Sequence, residues 1–201
     1  RDGSKILFYA NGTTKWTFVR NKWRHTNNPY SSYSYYFLTE GDNPATMQNA
    51  GTATATNEAR TTIPAHSLYE EDAYSWYAGG QQFFDSYDFA NGNSKSYQLA
   101  APDIASGSEQ YVTIAFSASD ASSATNVTSS LNSESLGKMT IPLLNNTNIG
   151  EQGNRARLLE KTYTATTLGT SNSVHFSTTS GHSARLDYIR FNYQRNLNLS
   201  T

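Results

Sequence analysis

Near the end of the chain, apolar and polar residues alternate with the period of two that a β-strand requires. In the segment 184–197, one face of an extended strand would carry apolar side chains and the other polar or amphipathic ones, namely Ile189, Phe191 and Tyr193 against Tyr188, Arg190 and Asn192. The turn-forming residues 180–183 precede this segment directly, so its partner strands must lie upstream. The pattern predicts a half-buried strand that closes the fold.

The second half of the chain shows the same alternation in several short segments. In residues 111–118, apolar side chains alternate strictly with small or hydroxyl-bearing ones. Turns rich in Gly, Asn and Ser separate the predicted strands, which cover residues 97–99, 111–118, 127–131, 138–143, 156–165, 174–178 and 186–195. Strands at this spacing predict an all-β fold, an antiparallel β-sandwich of the jelly-roll type.

The first 40 residues predict an N-terminal β-hairpin region with three to four short strands. Residues 5–10 form an apolar run closed by Asn11-Gly12, a dipeptide that favours a tight turn because both residues tolerate positive φ. We expect the returning strand at 16–19, a second turn at 21–22 and a further strand at 33–39.

The middle of the chain lacks the alternating hydrophobic pattern of the segments around it. Residues 41–57 have no hydrophobic period and predict an exposed connection. Residues 67–78 are the best helical candidate, because Ser67 can cap a helix and Glu70 completes a capping box. The sequence therefore predicts three parts, with at most one short helix: a β-hairpin region at 1–40, a connecting segment at 41–94 and a β-sandwich domain at 95–201.

Composition narrows the range of functions. The 201 residues include no Cys, which excludes disulfides, thiolate nucleophiles and zinc–thiolate sites. Lys and Arg number 15 against 16 Asp and Glu, and no basic cluster occurs, so we expect no nucleic-acid partner. No apolar run approaches the roughly 18 to 20 residues of a membrane-spanning helix, so we expect no membrane insertion. Because the chain opens with Arg1, we expect a piece of a longer polypeptide.

The sequence gives only weak signals for a site of acid–base or nucleophilic catalysis. Ser and Asp are abundant beside four histidines, but no Gly-x-Ser-x-Gly motif occurs, and we expect structural roles for His25, His66, His175 and His182. The carboxylates of residues 70–72 suit acid–base work or a hard cation, but a solvated helix start is the favoured interpretation. We expect no catalytic residue and no cofactor, and a structural calcium ion is left open.

Aromatic residues are concentrated early in the chain. Such residues suit either an exposed platform that stacks on sugars or a buried core, and the set comprises Trp16, Trp23, Tyr30, Tyr33, Tyr35 and Tyr36. We select Trp16, Trp23, Tyr30 and Tyr33 as the candidate ligand or interface residues. A glycan is therefore a candidate partner.

Several longer segments carry a family resemblance, namely Asp2-Gly3-Ser4-Lys5-Ile6-Leu7-Phe8-Tyr9 followed by Trp16, Asn28-Pro29-Tyr30-Ser31, residues 35–39, 66–72 and 80–85, and the closing strand 186–195. Together they resemble the region ahead of the peptidase domain in PorU-like sortases of the type IX secretion system, a gingipain-like cysteine peptidase family. The chain departs from the family pattern at Gln81, where an arginine is expected, and at Asp85, which replaces a glycine–glutamate ending.

The resemblance implies a non-catalytic β region of an exported protein at the bacterial cell surface or outer membrane. It places the catalytic His and Cys beyond Thr201, in a peptidase domain that would be the partner in cis and would cleave carboxy-terminal sorting domains from cargo. Two alternatives stay open at this point: a carbohydrate-binding module, and a structural surface or adhesion domain.

Overall fold

A computed structural model describes residues 8–39, 51, 60–120, 122–144 and 155–197. Within these residues the chain forms one short 3-10 helix, Phe89–Asn91, and ten β-strands: β1 Thr14–Val19, β2 Lys22–Asn27, β3 Thr62–Glu70, β4 Ser94–Ala100, β5 Gln110–Ala118, β6 Thr125–Leu131, β7 Glu134–Ile141, β8 Arg157–Ala165, β9 Ser171–Thr178 and β10 Ala184–Asn196. None of the helices in the described part has the length and apolarity needed to cross a membrane.

Eight of the strands form two antiparallel sheets. The first sheet has the order β3-β10-β5-β8 and the second has the order β4-β9-β6-β7. From β3 to β10 the chain passes from one sheet to the other at each step, except that β6 and β7 form a hairpin within the second sheet. This is the arrangement of a jelly roll. The predicted antiparallel sandwich is thus confirmed. Strands β1 and β2 form a separate hairpin, with all six residues of each strand in register.

The core fills the space between the two sheets. Strands β5 and β10 lie at the centre of the first sheet and supply many of its fully buried side chains, including Val112, Ile114, Phe116, Ile189 and Phe191. Phe116 packs against Phe176 of the second sheet, with ring centroids 5.0 Å apart. The alternation seen in the sequence therefore marks the faces that meet in the core.

Strand β10 is buried on both faces, whereas the sequence pattern predicts a half-buried strand. Ile189, Phe191 and Tyr193 face the core as expected, but Arg190 and Asn192 on the other face are also buried. The prediction is wrong on this point because two other segments cover the outer face of the first sheet. We call them the hairpin roof, residues 14–27, and the loop roof, residues 73–84.

The hairpin roof packs on the sheet through aromatic rings and hydrogen bonds. Trp16 stacks on His66 of β3 with 3.6 Å between ring centroids. The backbone N–H of Trp23 donates to Asn192 Oδ1 at 2.6 Å, and Asn192 Nδ2 donates back to the Trp23 carbonyl at 3.2 Å. The Asn192 amide is therefore buried with both its oxygen and its nitrogen hydrogen-bonded.

The loop roof covers the opposite end of the same face. Its ends are joined by an isolated β-bridge between Tyr74 and Phe84. Trp76 Nε1 donates to Ser117 Oγ of β5 at 2.8 Å, and the Arg185 guanidinium of β10 lies 3.6 Å from the centre of the Tyr74 ring. The two roofs leave an opening between them.

The predicted helix at 67–78 is wrong. Residues 62–70 form β3, which pairs with β10 over nine residues, from Tyr188↔Glu70 to Asn196↔Thr62. A capping box contributes only about 1 kcal/mol to a helix, and the paired edge of β10 outweighs it. Ser67 and Glu70 are therefore strand residues, and residues 70–72 are not a helix start.

The N-terminal predictions hold in part. The 16–19 strand exists within β1, but it pairs with β2 through a tight turn at Arg20 and Asn21, whose φ values are 51° and 59°. Residues 33–39 form no strand, so residues 8–39 contain two strands rather than three or four. The reason is that no neighbouring strand pairs with 33–39.

The remaining predictions for the first half concern connections and boundaries. The predicted strand at 5–10 lies partly, and the connection at 41–57 almost wholly, outside the described residues. The domain boundaries at residues 40 and 94 stay predictions, although β3, which falls between them, is part of the first sheet.

Candidate functional site

A cleft of about 410 Å³ opens between the two roofs. Residues 27–32, which continue from the hairpin roof, form one wall, and residues 81–83 of the loop roof form the other. The floor is acidic and consists of Glu70, Asp72 and Asp187. The cleft is thus a product of the way the roofs cover the sheet.

A β-bulge places Asp187 on this floor. The pairing of β10 with β5 shifts between Leu186 and Tyr188, so Asp187 has no partner in the register. On the other side, Tyr188 pairs with Glu70, the last residue of β3. The extra residue in β10 and the end of β3 therefore bring the carboxylates together.

The ionised forms of the carboxylates on the cleft floor are disfavoured by burial and by mutual repulsion. Burial, and then the negative charges of Glu70, Asp72 and Glu160, raise the pKa of Asp187 to about 7. Burial and Glu70 also raise the pKa of Asp72, while His25 acts in the opposite direction. None of the described residues that line the cleft is basic. Keeping this floor ionised therefore costs folding free energy.

Glu70 has one nearby basic group, which lies beneath the hairpin roof. His25 Nε2 is 3.3 Å from Glu70 Oε2, a contact outside hydrogen-bond geometry. Arg190 Nη1 lies 2.8 Å from His25 Nδ1. An arginine can only donate, so Nδ1 accepts and the ring proton lies on Nε2, facing Glu70. His25 and Arg190 are held beneath the roof, while Asp72 and Asp187 face the cleft.

The walls add aromatic and amide groups. Tyr30 is 79% exposed and Phe83 is 37% exposed. Gln81 Nε2 donates to the Tyr30 hydroxyl at 2.8 Å and so joins the two walls. The Tyr30 backbone N–H donates to Asn28 Oδ1 at 3.0 Å, which fixes the turn that carries the ring. The cleft therefore combines carboxylates below with aromatic rings at its sides.

A row of exposed large side chains follows the first wall in sequence. We call residues 33–38 the aromatic ridge. Phe37 is 95% exposed and Leu38 80% exposed, and the other large members, Tyr33, Tyr35 and Tyr36, also lie at the surface. The Tyr36 hydroxyl donates to the Asn11 carbonyl, and the Tyr36 ring centroid lies 5.9 Å from that of Phe8. A contiguous group of exposed apolar and aromatic side chains is typical of an interaction surface.

The structure divides the four aromatic candidates into two pairs. Trp16 and Trp23 are half-buried between the hairpin roof and β3, where the Trp23 indole also donates to the Pro64 carbonyl at 3.1 Å. Tyr30 and Tyr33 are exposed, one on the cleft wall and the other on the aromatic ridge. Only the second pair is accessible to a partner.

The histidines have packing partners. His66 lies between Trp16 and Trp23, and burial lowers its pKa. His175 Nδ1 is 3.0 Å from Ser96 Oγ on the neighbouring strand.

His182 has neighbours that suggest a hydrolytic triad. Its Nε2 lies 3.3 Å from Ser123 Oγ, and its Nδ1 lies 3.7 Å from Asp120 Oδ2. Thr125 Oγ1 is closer to Nδ1, at 2.9 Å, and Asp120 Oδ1 accepts the Ser123 backbone N–H at 3.0 Å. The N–H of the would-be nucleophile is therefore occupied, whereas an oxyanion hole needs free donors. The contacts tie Asp120, Ser123 and Thr125 to His182.

The part of the chain that the structure describes contains no group of three or more His, Asp or Glu side chains arranged to hold a metal ion.

The sequence analysis missed the cleft. One signal for its floor is present, because Leu186 and Ile189 both face the core although they are three residues apart. Such a phase change within an alternating strand indicates a bulge and marks Asp187 as the extra residue. No comparable signal shows which segments form the walls.

Comparisons with known proteins identify a solved structure with a similar fold. No family model matches the chain, and no curated protein matches it. The crystal structure of dimeric latent PorU from Porphyromonas gingivalis matches with a TM-score of 0.68 and 18% identity, over 94% of this chain and 18% of that chain. The chain therefore spans less than a fifth of the length of that protein and has the fold of a part of it.

Two carbohydrate-binding modules match less well. A family 35 module from an environmental isolate gives a TM-score of 0.40 and 18% identity, over 72% of this chain and 96% of that chain. The C-terminal CBM6 of LamC, a laminarinase from Zobellia galactanivorans, gives 0.32 and 15%, over 65% of this chain and 98% of that chain.

Proposed function

We propose that this chain is a non-catalytic β-sandwich region of an exported, cell-surface cysteine peptidase of the gingipain-like sortase type, and that it positions or supports the peptidase domain. The observation that carries the proposal is the aromatic ridge, a surface that water solvates poorly. The match to one part of the much longer PorU chain supports a role beside other domains.

The ridge supplies apolar surface for docking within one polypeptide. Burying a side chain such as Phe37 or Leu38 contributes roughly 1.5 to 3 kcal/mol. Interfaces between domains of one chain bury roughly 600 to 1,500 Å² and are comparatively polar. The tyrosine hydroxyls of the ridge and the amides beside it fit that character.

We propose no peptidase chemistry for the chain itself. The chain has no Cys, and in the Ser123–His182–Asp120 contacts the Ser123 backbone N–H already donates to Asp120. Catalysis in the whole protein would therefore come from another domain, and residues 1–201 would act through contact.

The test is to express the peptidase domain with and without residues 1–201 and to compare melting temperature and sortase activity. We expect both to fall when the region is removed. In the longer protein, the double change Phe37→Ser and Leu38→Ser should reproduce part of the loss. Leu158→Ser is the matched control, because Leu158 is also exposed, at 42%, but lies on β8. Equal stability and activity without the region would refute the docking role.

Carbohydrate binding is the second candidate. It is favoured by the exposed rings of Tyr30 and Phe83 beside the amides of Gln81 and Gln82, a mixture that suits sugar stacking and hydroxyl recognition. A glycan array with the isolated chain tests it. Binding that Tyr30→Ala abolishes, together with a peptidase domain that needs no support, would establish this function instead.

A further inference from the structure

The cleft and the aromatic ridge are continuous, which makes them parts of one surface. Residues 27–32 form the cleft wall and run directly into the ridge at residue 33. Ser31 Oγ donates to the Tyr33 carbonyl at 2.9 Å and accepts from the Tyr33 N–H at 3.0 Å, so wall and ridge are fixed to each other. A segment that lies along the ridge therefore passes the mouth of the cleft.

The charge of the cleft selects the partner. Asp72 and Asp187 face it with Glu70 behind them, and none of the described lining residues is basic. The nearby basic side chains of Arg190 and His25 contact each other beneath the hairpin roof, where they are buried. A cationic group from outside would offset the repulsion on the floor, whereas a neutral sugar would leave the carboxylates as they are.

The shape of the cleft favours a guanidinium over an ammonium group. A guanidinium is planar, donates in a fork that fits carboxylates, and stacks on aromatic faces. The cleft offers carboxylates on its floor and the rings of Tyr30 and Phe83 on opposite walls. An ammonium group would use the charge, but it has no planar face to stack on the two rings and no fork to match the carboxylates.

We propose that the cleft binds the guanidinium group of an arginine, carried by a segment whose neighbouring apolar side chains cover the aromatic ridge. The inference rests on the proposed docking function and adds the chemistry of the partner to it.

Isothermal titration of the 201-residue chain tests the proposal with three peptides: acetyl-Leu-Arg-Phe-amide and its counterparts with citrulline or lysine in place of arginine. Citrulline keeps the shape of arginine and removes the charge. We expect the citrulline peptide to bind at least tenfold more weakly than the arginine peptide, with the lysine peptide in between.

Variants of the chain locate the binding. Asp187→Asn and Asp72→Asn should each weaken the arginine peptide about tenfold, the usual scale for one charged contact of about 1.4 kcal/mol, and leave the citrulline peptide unchanged. Glu109→Gln is the matched control, because it removes one exposed carboxylate that contacts Tyr111 outside the cleft. The Phe37→Ser and Leu38→Ser change should weaken all three peptides alike.

Equal binding of the arginine and citrulline peptides would overturn the proposal, as would an equal loss from Glu109→Gln. So would glycan binding that requires Asp187 without any preference for arginine. If the arginine preference is absent but the ridge variant still lowers the stability of the longer protein, this inference fails and the docking function stands. If the preference is present but the ridge variant has no such effect, the arginine site stands and the docking function fails.

Discussion

Strand β10, at the centre of the first sheet, is buried on both of its faces, but by different means. The inner face meets the second sheet through apolar side chains such as Ile114, Phe116 and Phe191. The outer face carries Arg190 and Asn192 and is covered by the hairpin roof through hydrogen bonds and stacked rings. Apolar packing tolerates many partners, whereas polar burial requires a matched one. The outer face therefore accepts only a covering segment with matching hydrogen-bonding groups. The cleft lies on this face.

The largest test of this comparison removes the strand that both faces share. A chain that ends at Gly181 lacks β10, which pairs with β3 on one side and β5 on the other. Burial of Ile189, Phe191 and Tyr193 contributes roughly 1.5 to 3 kcal/mol each, against a net stability of roughly 5 to 15 kcal/mol for a whole domain. We expect no cooperative thermal transition by circular dichroism. A truncated chain that melts near the temperature of the intact one would show that the core lies elsewhere.

The second-largest effect is expected from a single substitution on the inner face. Phe191→Ala leaves a cavity at a fully buried position in the centre of the core. We expect a loss of about 3 to 5 kcal/mol in the free energy of unfolding, measured by urea titration. Leu158→Ala on β8 is the control, because that side chain is exposed and should change stability little. A loss for Phe191→Ala below about 1 kcal/mol would mean that the core rearranges easily.

On the outer face, Asp187→Asn should stabilise the chain, in a way that depends on pH. The folded-state pKa of Asp187 is raised to about 7 from 3.8, so the folded chain holds the proton more tightly than the unfolded chain. The penalty is absent below about pH 4, grows as the pH rises and is complete above about pH 7. We expect a gain of about 1 to 3 kcal/mol at pH 8, a range reduced for solvent in the cleft. At pH 4 the two chains should unfold alike.

Thermal melts at both pH values, with Glu109→Gln as the control for lost charge, measure this effect. Stabilisation at pH 4 equal to that at pH 8 would show that the Asp187 carboxylate carries no penalty. A stabilising change that removes arginine binding would fit a residue kept for function at the expense of stability.

The smallest effect concerns the attachment of the hairpin roof. Asn192→Ala removes both hydrogen bonds to the Trp23 backbone and should cost about 1 to 2 kcal/mol. Amide exchange should rise in residues 14–27 and stay unchanged in β5 and β9, because the core is untouched. Equal acceleration across the sandwich would show that the roof and the sheets unfold together.

Alternation predicted the sandwich strands well because the sheets meet through one face of each strand. Residues 111–118 and 174–178, for example, lie within β5 and β9. The helix at 67–78 was predicted wrongly because Ser67 and Glu70 satisfy a local capping pattern, while the partner of β3 lies more than a hundred residues away in β10. The exposure of residues 33–39 could not be predicted from the sequence either, because aromatic residues occur in strands, in cores and on binding surfaces.

The strands of the second half of the chain and the inner core pattern were determined by the sequence, because they depend on local chemistry and on a period of two. The tertiary structure alone decided which segments cover the outer face, which aromatics stay exposed and how the bulge at Asp187 meets the end of β3. These features depend on contacts between residues distant in sequence, as between Trp23 and Asn192. A single chain carries no periodic signal for such contacts, so the cleft and its charge emerge only when the chain is folded.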